Sequence, residues 1–293
     1  MDEKLRRSML FLPGNNPVML QNGGVFGADS VILDLEDAVA PTEKDAARFL
    51  IAHALRFVDY GDSETVIRIN PLDTFASEDI KAIVPCRPNA ILVPKVEGAS
   101  DIQTVVQMIR AAEQPNQIPV KIIALLETPR GIIEAYQIAK ADPRVVALAF
   151  GGEDYTAGLG AIRTKEGKEI FTARTVVVNA AAAADVQSID TPYTDANDED
   201  GLLADTLLAN QLGFKGKMSI NPRQIEVIHG VFNPSRHEIY WAQQVIFAIH
   251  KAQGEGSGVT SLNGKMIDLP IVNRAERILR LAQLLGLLEG AES

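Results

Sequence analysis

Acidic residues crowd the end of one apolar stretch of the sequence. Residues 31–41 read VILDLEDAVAP, so that Asp34, Glu36 and Asp37 close an apolar run. A buried carboxylate is costly unless it is paired with a cation, hydrogen-bonded or bound to a metal. Oxygen ligands without a cluster of Cys or His residues are typical of Mg²⁺, or alternatively Mn²⁺, rather than zinc. The stretch is therefore first interpreted as a metal site.

Other apolar runs also end in polar residues. Their ends are Pro13-Gly14, Glu36-Asp37, Arg68 to Asn70, Lys95, Glu127, Glu153-Asp154 and Asn221. The arginine suits the capture of a substrate carboxylate through two parallel hydrogen bonds. If these ends meet at one mouth, the residues predict a site for a carboxylated, oxygen-chelating substrate such as a 2-oxo acid.

Nucleophilic catalysis has weak support in the sequence. No G-x-S-x-G motif is present, and all four histidines fall on predicted helices: His53, His229, His237 and His250. Lys95 is a candidate for a Schiff base, but neighbouring carboxylates would stabilise its ammonium form and raise its pKa. Cys86 has no recognisable His or Asn partner, so it is interpreted as structural.

Composition and charge limit the classes of function. The chain has 293 residues, 46% hydrophobic content and a formal net charge of −10. This charge argues against non-specific binding to nucleic acid or to anionic membranes, which favour basic patches. No apolar stretch approaches the roughly 20 residues that a bilayer span requires, and the N-terminus lacks the features of a signal peptide. We therefore expect a cytoplasmic protein with no nucleic-acid or membrane partner.

Eight apolar runs alternate with segments of helical periodicity. The runs are residues 8–14, 30–37, 64–71, 89–95, 120–127, 145–154, 186–192 and 216–222. They lack strict alternation, as is typical of parallel strands covered on both faces. About eight β/α repeats within roughly 225 residues favour a (β/α)₈ TIM barrel, whose active site lies at the carboxyl ends of the strands. A doubly wound sheet is disfavoured because the first turn, PGNNP, lacks the G-x-G-x-x-G spacing.

Several helix starts are marked by capping residues. They are Asn16-Pro17, Thr42 with Glu43, Thr128-Pro129, and Asn221-Pro222 with Gln224. Each places a capping side chain before a helix-compatible proline or glutamate.

The pattern changes after residue 232. A long helix, a flexible joint at GEGSG (254–258), a hairpin around Asn263-Gly264 and a final amphipathic helix are predicted in turn. We therefore divide the chain into a barrel, residues 1–232, and a C-terminal helical extension, residues 233–293.

A family resemblance rests on an ordered set of motifs. They are RRSMLFLPGNN, DLEDAVAPTEKDAAR, VIRINPL, VPKVE, LLETPRGI, GGEDY, GKMSINPRQIE and SLNGKMIDLPI. Over nearly the whole chain they resemble the citrate lyase beta subunits (citryl-CoA lyases) of the HpcH/HpaI aldolase/citrate lyase family, which are (β/α)₈ barrels. The resemblance implies a Mg²⁺-dependent carbon–carbon lyase that cleaves a citryl thioester to oxaloacetate and an acetyl thioester.

The resemblance also implies roles for single residues. Glu127 and Asp154 would ligate the metal, while Arg68, Glu127 and Lys95 would bind substrate, Arg68 holding the oxaloacetate moiety. Asp268 matches a catalytic aspartate that comes from a neighbouring subunit in related thioester lyases, and it would protonate the thioester enolate. Its simpler interpretation is an acid at a helix start, just before Pro270.

With the ligands so assigned, the opening stretch is reinterpreted. We expect Glu36 and Asp37 to hydrogen-bond the waters of the metal. Asp34 would lie deeper in the barrel and require a lysine or arginine partner.

The resemblance further implies partners. Coenzyme A, or the phosphopantetheine arm of an acyl carrier subunit, would carry the thioester, and Arg6 and Arg7 are candidates for its phosphates, although solvated arginines are the simpler interpretation. Citrate lyase alpha and acyl carrier subunits are expected partners, as is a homo-oligomer, a trimer or hexamer. Two alternatives stay open: a stand-alone malyl-CoA or citramalyl-CoA lyase or thioesterase, and a subunit that serves mainly assembly.

Overall fold

Eight parallel strands pair each with the next, and the eighth pairs with the first, so that the sheet closes into a barrel. This computed structural model describes residues 4–254, 260–262 and 265–288. The strands are β1 (Ser8–Pro13), β2 (Ser30–Asp34), β3 (Glu64–Arg68), β4 (Ala90–Val93), β5 (Lys121–Leu126), β6 (Val145–Phe150), β7 (Gln187–Asp190) and β8 (Gly216–Ser219). All eight lie within the predicted runs, and the predicted (β/α)₈ barrel is confirmed.

Each strand is followed by at least one helix. The helices are α1 (Pro17–Asn22), α2 (Lys44–Phe57), α3 (Ala76–Ile83), α4 (Ala99–Ala112), α5 (Pro129–Ile133), α6 (Ala135–Ala139), α7 (Gly152–Leu159), α8 (Lys168–Ala184), α9 (Glu199–Leu212) and α10 (Gln224–Phe232). Within the part of the chain that the structure describes, no helix combines the length and apolarity needed to cross a membrane.

The interior of the barrel is filled by apolar side chains. They are Met9, Ile32, Val66, Ala90, Leu92, Ile123, Leu125, Ala147, Ala149, Ile189 and Met218, and each is 2% exposed or less. Alternate residues of a strand point to the same face, which places these apolar side chains together inside the barrel. The polar residues that follow the strands in the sequence lie at the carboxyl ends of the strands. This end of the barrel, called the mouth below, is the available place for a site.

Two of the predicted helix starts have the expected cap. The side chain of Asn16 accepts a hydrogen bond from Met19 N at 3.1 Å, and Thr128 Oγ1 accepts one from Gly131 N at 3.0 Å. The cap predicted at Thr42 is absent, although the predicted helix α2 does begin close by, at Lys44. Thr42 and Glu43 belong to a 3₁₀ turn, Pro41–Glu43, and α2 begins after it without a side-chain cap.

The last predicted start is displaced. α10 begins at Gln224, whose Oε1 accepts hydrogen bonds from the main-chain N of Ile220 at 3.0 Å and of Asn221 at 3.3 Å. The glutamine reaches back to the turn, as the third residue of a capping box does.

A buried ion cluster ties two helices to two strands. Arg174 on α8 donates from Nε and Nη2 to the two carboxylate oxygens of Asp190 at the end of β7, at 2.9 Å each. Lys217 on β8 donates to the same Asp190 at 2.7 Å, and Asp205 on α9 pairs with both cations. All four side chains are buried. The cost of removing these charges from water is offset because two cations face two anions.

The chain divides into two compact units, the first ending at His229 and the second beginning at Gly230. The second unit contains α11 (Arg236–Gly254), β9 (Thr260–Leu262), β10 (Lys265–Ile267) and α12 (Leu269–Leu284). β9 and β10 pair antiparallel, which confirms the strands of the predicted hairpin. The hairpin turn, Asn263-Gly264, lies outside the described residues, as does the predicted joint beyond Gly254, the last residue of α11.

Candidate active site

Asp34 and Arg68 form the base of the site, at the ends of two neighbouring strands. Arg68 donates from Nε and Nη2 to the two carboxylate oxygens of Asp34, at 2.7 Å each. Asp34 also accepts from the main-chain N of Glu36 at 2.9 Å and of Ala38 at 3.1 Å. The predicted need of Asp34 for a basic partner is confirmed. This aspartate fixes both the guanidinium and the loop that carries Glu36 and Asp37.

One corner of the Arg68 guanidinium faces the other acids of this loop. Its Nη1 lies 3.1 Å from Glu36 Oε2 and 3.2 Å from Asp37 Oδ2, and its Cζ lies 4.8 Å from the centre of the Phe11 ring. Asp34 takes the Nε and Nη2 edge of the guanidinium. Two-fold capture of a substrate carboxylate by Arg68 stays a prediction, and it would have to use the edge that carries Nη1.

Lys95 connects three carboxylates through its main chain and its side chain. Its main-chain N donates to Glu127 Oε1 at 2.9 Å, and its Nζ donates to Glu36 Oε1 at 3.1 Å. The Nζ also lies 3.8 Å from Asp154 Oδ2. Lys95 has a left-handed backbone with φ +52°, which costs roughly 1–2 kcal/mol in a residue with a side chain. This conformation aims the amide at Glu127 while the ammonium reaches the other two acids.

The pKa of Lys95 is raised. Burial alone would lower its pKa, but the Glu36 carboxylate, followed by Asp154 and Glu127, more than offsets this effect. The prediction that nearby acids keep the ammonium charged is confirmed, and it argues against a Schiff base at this lysine.

Glu127 is a buried carboxylate at the end of β5. Its side chain is 4% exposed, and its pKa is raised to about 8, first by burial and then by the charges of Glu36 and Asp154. Burial likewise raises the pKa of Glu36, against the opposing effect of Arg68. These acids are held close together in a region where water screens their charge poorly.

Gly151 makes room for the Glu127 side chain. A Cβ atom on Gly151 would lie 2.6 Å from Glu127 Cβ and 2.7 Å from its Oε2. Gly151 connects β6 to α7, whose first turn carries Glu153 and Asp154. The glycine therefore lets the strand end of Glu127 and the helix start of Asp154 lie side by side.

Carboxylates outnumber cations at the mouth. Around Arg68 and Lys95 lie Asp34, Glu36, Asp37, Glu127 and Asp154. This hard-oxygen donor set, with its excess of negative charge, fits a divalent cation such as Mg²⁺.

The two predicted ligands, Glu127 and Asp154, both belong to this donor set. No group of three or more His, Cys, Asp or Glu side chains in the described part of the chain is arranged to hold a metal. Mg²⁺ commonly uses one or two protein carboxylates and takes its other ligands from water and substrate. Glu127 and Asp154, the two acids that Lys95 spans, are the residues that could hold it.

Sequence reasoning missed Lys44, which holds the acidic loop closed. Its Nζ donates to the main-chain oxygens of Leu35 and Glu36 at 2.6 Å each. Burial lowers the pKa of this lysine. In the sequence DLEDAVAPTEK, the closeness of Lys44 to the acidic residues could have indicated this contact. The same position is equally typical of a solvated lysine at a helix start.

The sequence model of the HpcH/HpaI aldolase/citrate lyase family matches residues 7–222. The chain belongs to this family. A citrate lyase subunit beta from Leuconostoc mesenteroides subsp. cremoris is 47% identical over 285 residues, covering 96% of this chain and 94% of that protein. A mitochondrial citramalyl-CoA lyase from Rattus norvegicus is 34% identical, covering 94% of this chain and 86% of that protein. Among solved structures, CitE from Mycobacterium tuberculosis in complex with magnesium, acetoacetate and coenzyme A has 31% sequence identity and a TM-score of 0.79, covering 95% of this chain and 98% of that one.

Not every strand end of this HpcH/HpaI family member contributes to the site. Asn70 donates from its side chain to Asp79 on α3 at 2.7 Å. Glu153 pairs with Arg163 at 3.1 Å, and Asn221 Oδ1 accepts from a main-chain amide of its own turn. These polar residues stabilise local structure. The candidate site is therefore smaller than the set of strand ends predicted from the sequence, and it extends from the end of β2 to the start of α7.

The candidate role of Arg6 and Arg7 in phosphate binding is wrong. Arg6 donates to both carboxylate oxygens of Glu64, at 2.6 and 2.7 Å, and Arg7 donates to those of Asp29, at 2.8 and 2.6 Å. Glu64 begins β3 and Asp29 directly precedes β2, so these pairs lie at the amino ends of the strands, opposite the mouth. In this family member the two arginines stabilise the closed end of the barrel.

Asp268 is the N-cap of α12 in the second unit. Its Oδ1 accepts a hydrogen bond from Ile271 N at 3.3 Å, which is the structural role anticipated for an acid before Pro270. A capping carboxylate still exposes its second oxygen, so catalysis by Asp268 stays a prediction.

Proposed function

We propose that this chain cleaves the carbon–carbon bond of a citryl thioester to oxaloacetate and an acetyl thioester, with Mg²⁺ held by Glu127 and Asp154. The chain is an oxo-acid lyase of the citrate lyase type, as the similar citrate lyase beta subunit and citramalyl-CoA lyase indicate. The observation that carries the proposal is the pair Glu127 and Asp154, spanned by Lys95 at the mouth of the barrel. The CitE structure, which contains magnesium, acetoacetate and coenzyme A, supports both the metal and the thioester carrier.

The residues of the mouth supply binding and charge. When bound, Mg²⁺ acts as a Lewis acid toward the substrate oxygen that becomes the keto group. The Nη1 end of Arg68 receives a carboxylate of the oxaloacetate moiety, and Asp34 keeps the guanidinium from turning away. The charged Nζ of Lys95 adds positive potential where negative charge accumulates on substrate oxygen.

Proton transfers complete the proposed reaction. The substrate hydroxyl loses its proton, for which the carboxylates of the site are the available acceptors. The electron pair of the broken bond then passes to the carbon next to the thioester carbonyl, giving an enolate. Asp268 donates a proton to that carbon, and in the reverse direction its carboxylate removes it. Glu36 and Asp37 are proposed to orient waters between the loop and the metal.

The proposal extends to assembly and location. Asp268 would come from a neighbouring copy in a homo-oligomer, a trimer or hexamer. Citrate lyase alpha and acyl carrier subunits are the proposed partners, and the cytoplasm is the proposed compartment. Co-purification of these subunits from a cytoplasmic fraction would support this part of the proposal, while purification of the tagged chain without them would contradict it.

Substitution of the two ligands tests the metal assignment. Glu127→Gln and Asp154→Asn should each abolish Mg²⁺-dependent cleavage of citryl-CoA, while the circular dichroism spectrum is unchanged. Glu153→Gln is the matched control because Glu153 lies in the same helical turn but pairs with Arg163, so this variant should keep its activity. Full activity in either ligand variant would refute the assignment.

A second candidate is favoured by the similarity to citramalyl-CoA lyase. In this version the chain acts alone on citramalyl-CoA or malyl-CoA. The same metal pair and arginine serve both reactions, because each substrate carries a hydroxyl and a carboxylate on the same carbon. Relative cleavage rates of the three thioesters distinguish the two candidates.

A further inference from the structure

A threonine from the next strand caps the helix that carries Asp154. Gly152, the first residue of α7, donates from its main-chain N to Thr191 Oγ1 at 2.9 Å. The N-cap position belongs to Gly151, which has no side chain that could cap the helix. Thr191 directly follows β7 and is 1% exposed. It therefore supplies from a different strand the hydrogen bond that a capping side chain normally gives.

The first residue of α7, Gly152, is hydrogen-bonded through both of its main-chain polar atoms. Thr156 Oγ1 donates to Gly152 O at 2.7 Å, while Thr191 accepts from Gly152 N. A Cβ atom on Gly152 would lie 3.0 Å from Thr191 Oγ1 and 3.3 Å from its Cγ2. The second glycine of GGEDY thus permits this close approach, as the first permits the side chain of Glu127.

Thr191 directly follows a residue of the buried ion cluster. The preceding residue, Asp190, receives two hydrogen bonds from Arg174 and one from Lys217. All three side chains are completely buried. The end of β7 is therefore fixed. Because Thr191 follows it directly and hydrogen-bonds Gly152, the start of α7 is held relative to β7.

The carboxylate of Asp154 needs such a support. It is 47% exposed, and its ion pair with Lys95 Nζ spans 3.8 Å. Because this contact is long, the orientation of the first turn of α7 determines where the carboxylate lies.

We propose that Thr191 is a positioning residue that aims Asp154 at the divalent cation through the amide of Gly152. The inference rests on the proposed function, because it takes Asp154 as a metal ligand. Residues that orient metal ligands typically change metal affinity 10–100-fold when they are replaced. Loss of the Thr191 hydroxyl should therefore weaken the binding of the metal more than it weakens the fold.

Direct binding of Mn²⁺ without substrate tests the inference, measured by electron paramagnetic resonance as a stand-in for Mg²⁺. Thr191→Val removes the acceptor at nearly constant shape, and its Mn²⁺ affinity should fall about tenfold. Thr191→Ser keeps the acceptor and should stay within about threefold of the unsubstituted chain. At saturating Mg²⁺, the kcat of the valine variant should fall less than its metal affinity.

A buried threonine elsewhere provides the matched control. Thr206 on α9 is 0% exposed and donates from Oγ1 to Leu202 O at 2.6 Å. Thr206→Val should therefore leave Mn²⁺ affinity unchanged. If Thr191→Val does not fold by circular dichroism, Thr191→Ala takes its place because it also lacks the acceptor.

The possible outcomes separate the two proposals. If Asp154→Asn weakens Mn²⁺ binding and the folded Thr191 variant does not, the positioning role is overturned alone. An equal loss of affinity in Thr206→Val would also overturn it, since the effect would then be structural. If Asp154→Asn leaves Mn²⁺ affinity unchanged, the ligand assignment of the proposed function fails.

Discussion

Glu127 shows how a proposed metal ligand is held where its charge is unfavourable. Burial and the acids around it raise its pKa to about 8. Since the folded-state pKa lies above the unfolded value, the metal-free folded state holds a proton that the unfolded chain has already released. Stability is therefore lost as pH rises from the ordinary glutamate pKa toward 8, and the full loss is reached above that value.

A neutral isostere should remove this dependence. Without metal, the free energy of unfolding of Glu127→Gln, relative to that of the unsubstituted chain, should be larger at pH 9 than at pH 5. The increase should be on the order of 2–4 kcal/mol. Urea unfolding at the two pH values, with a metal chelator present, measures the difference. A gain that is the same at both values would contradict the raised pKa.

Individual site residues differ in how far the sequence predicts them. Asp34 and its basic partner followed from the cost of burying a carboxylate, and the charge of Lys95 followed from the acids around it. Lys44 and Thr191 did not follow, because each hydrogen-bonds to the main chain of another segment. Such contacts depend on loop geometry and leave no periodic trace in the sequence.

At the scale of elements, the junction between β6 and α7 sets the distance between the two proposed ligands. Gly151→Ala places a methyl group against Glu127 Cβ and Oε2, so Mn²⁺ affinity should fall at least about tenfold, as for other disturbed ligand supports. Gly230→Ala on α10 is the control, because its Cβ meets nothing within 4 Å. Unchanged Mn²⁺ binding in Gly151→Ala would show that Glu127 is not confined as described.

The buried ion cluster makes a prediction about stability. Lys217→Met leaves Arg174 alone with two buried carboxylates, so the free energy of unfolding should fall by about 3–5 kcal/mol. Urea unfolding checks this value. Lys165→Met breaks an exposed pair with Asp198 instead, in which the lysine side chain is 69% exposed, and should change stability little. An equal loss of free energy of unfolding in the two variants would contradict the claim that the buried ion cluster contributes more to stability than an exposed ion pair.

At the scale of the molecule, the barrel was readable from the spacing of eight apolar runs. Covered parallel strands are nearly continuous apolar segments, and this pattern survives in the sequence without tertiary information. The start of α2 lies slightly later than predicted because a 3₁₀ turn, Pro41–Glu43, precedes the helix. Capping residues cannot distinguish such a turn from the first turn of an α-helix.

The proposed sharing of sites between copies is testable by mixing. Arg68→Ala and Asp268→Asn should each be inactive alone. Subunits mixed after unfolding and refolding should regain activity at about a quarter of the sites, if each site combines one barrel with the Asp268 of a neighbour. No recovery in a verified mixed oligomer would count against a shared site.

The central claim is a Mg²⁺-dependent lyase for citryl thioesters, and the most direct measurement is the rate of oxaloacetate release from citryl-CoA by the purified chain. Malyl-CoA and citramalyl-CoA serve as comparison substrates under the same conditions. We expect citryl-CoA to be cleaved fastest and its cleavage to stop when Mg²⁺ is chelated. No cleavage of citryl-CoA alongside rapid cleavage of malyl-CoA would contradict the account.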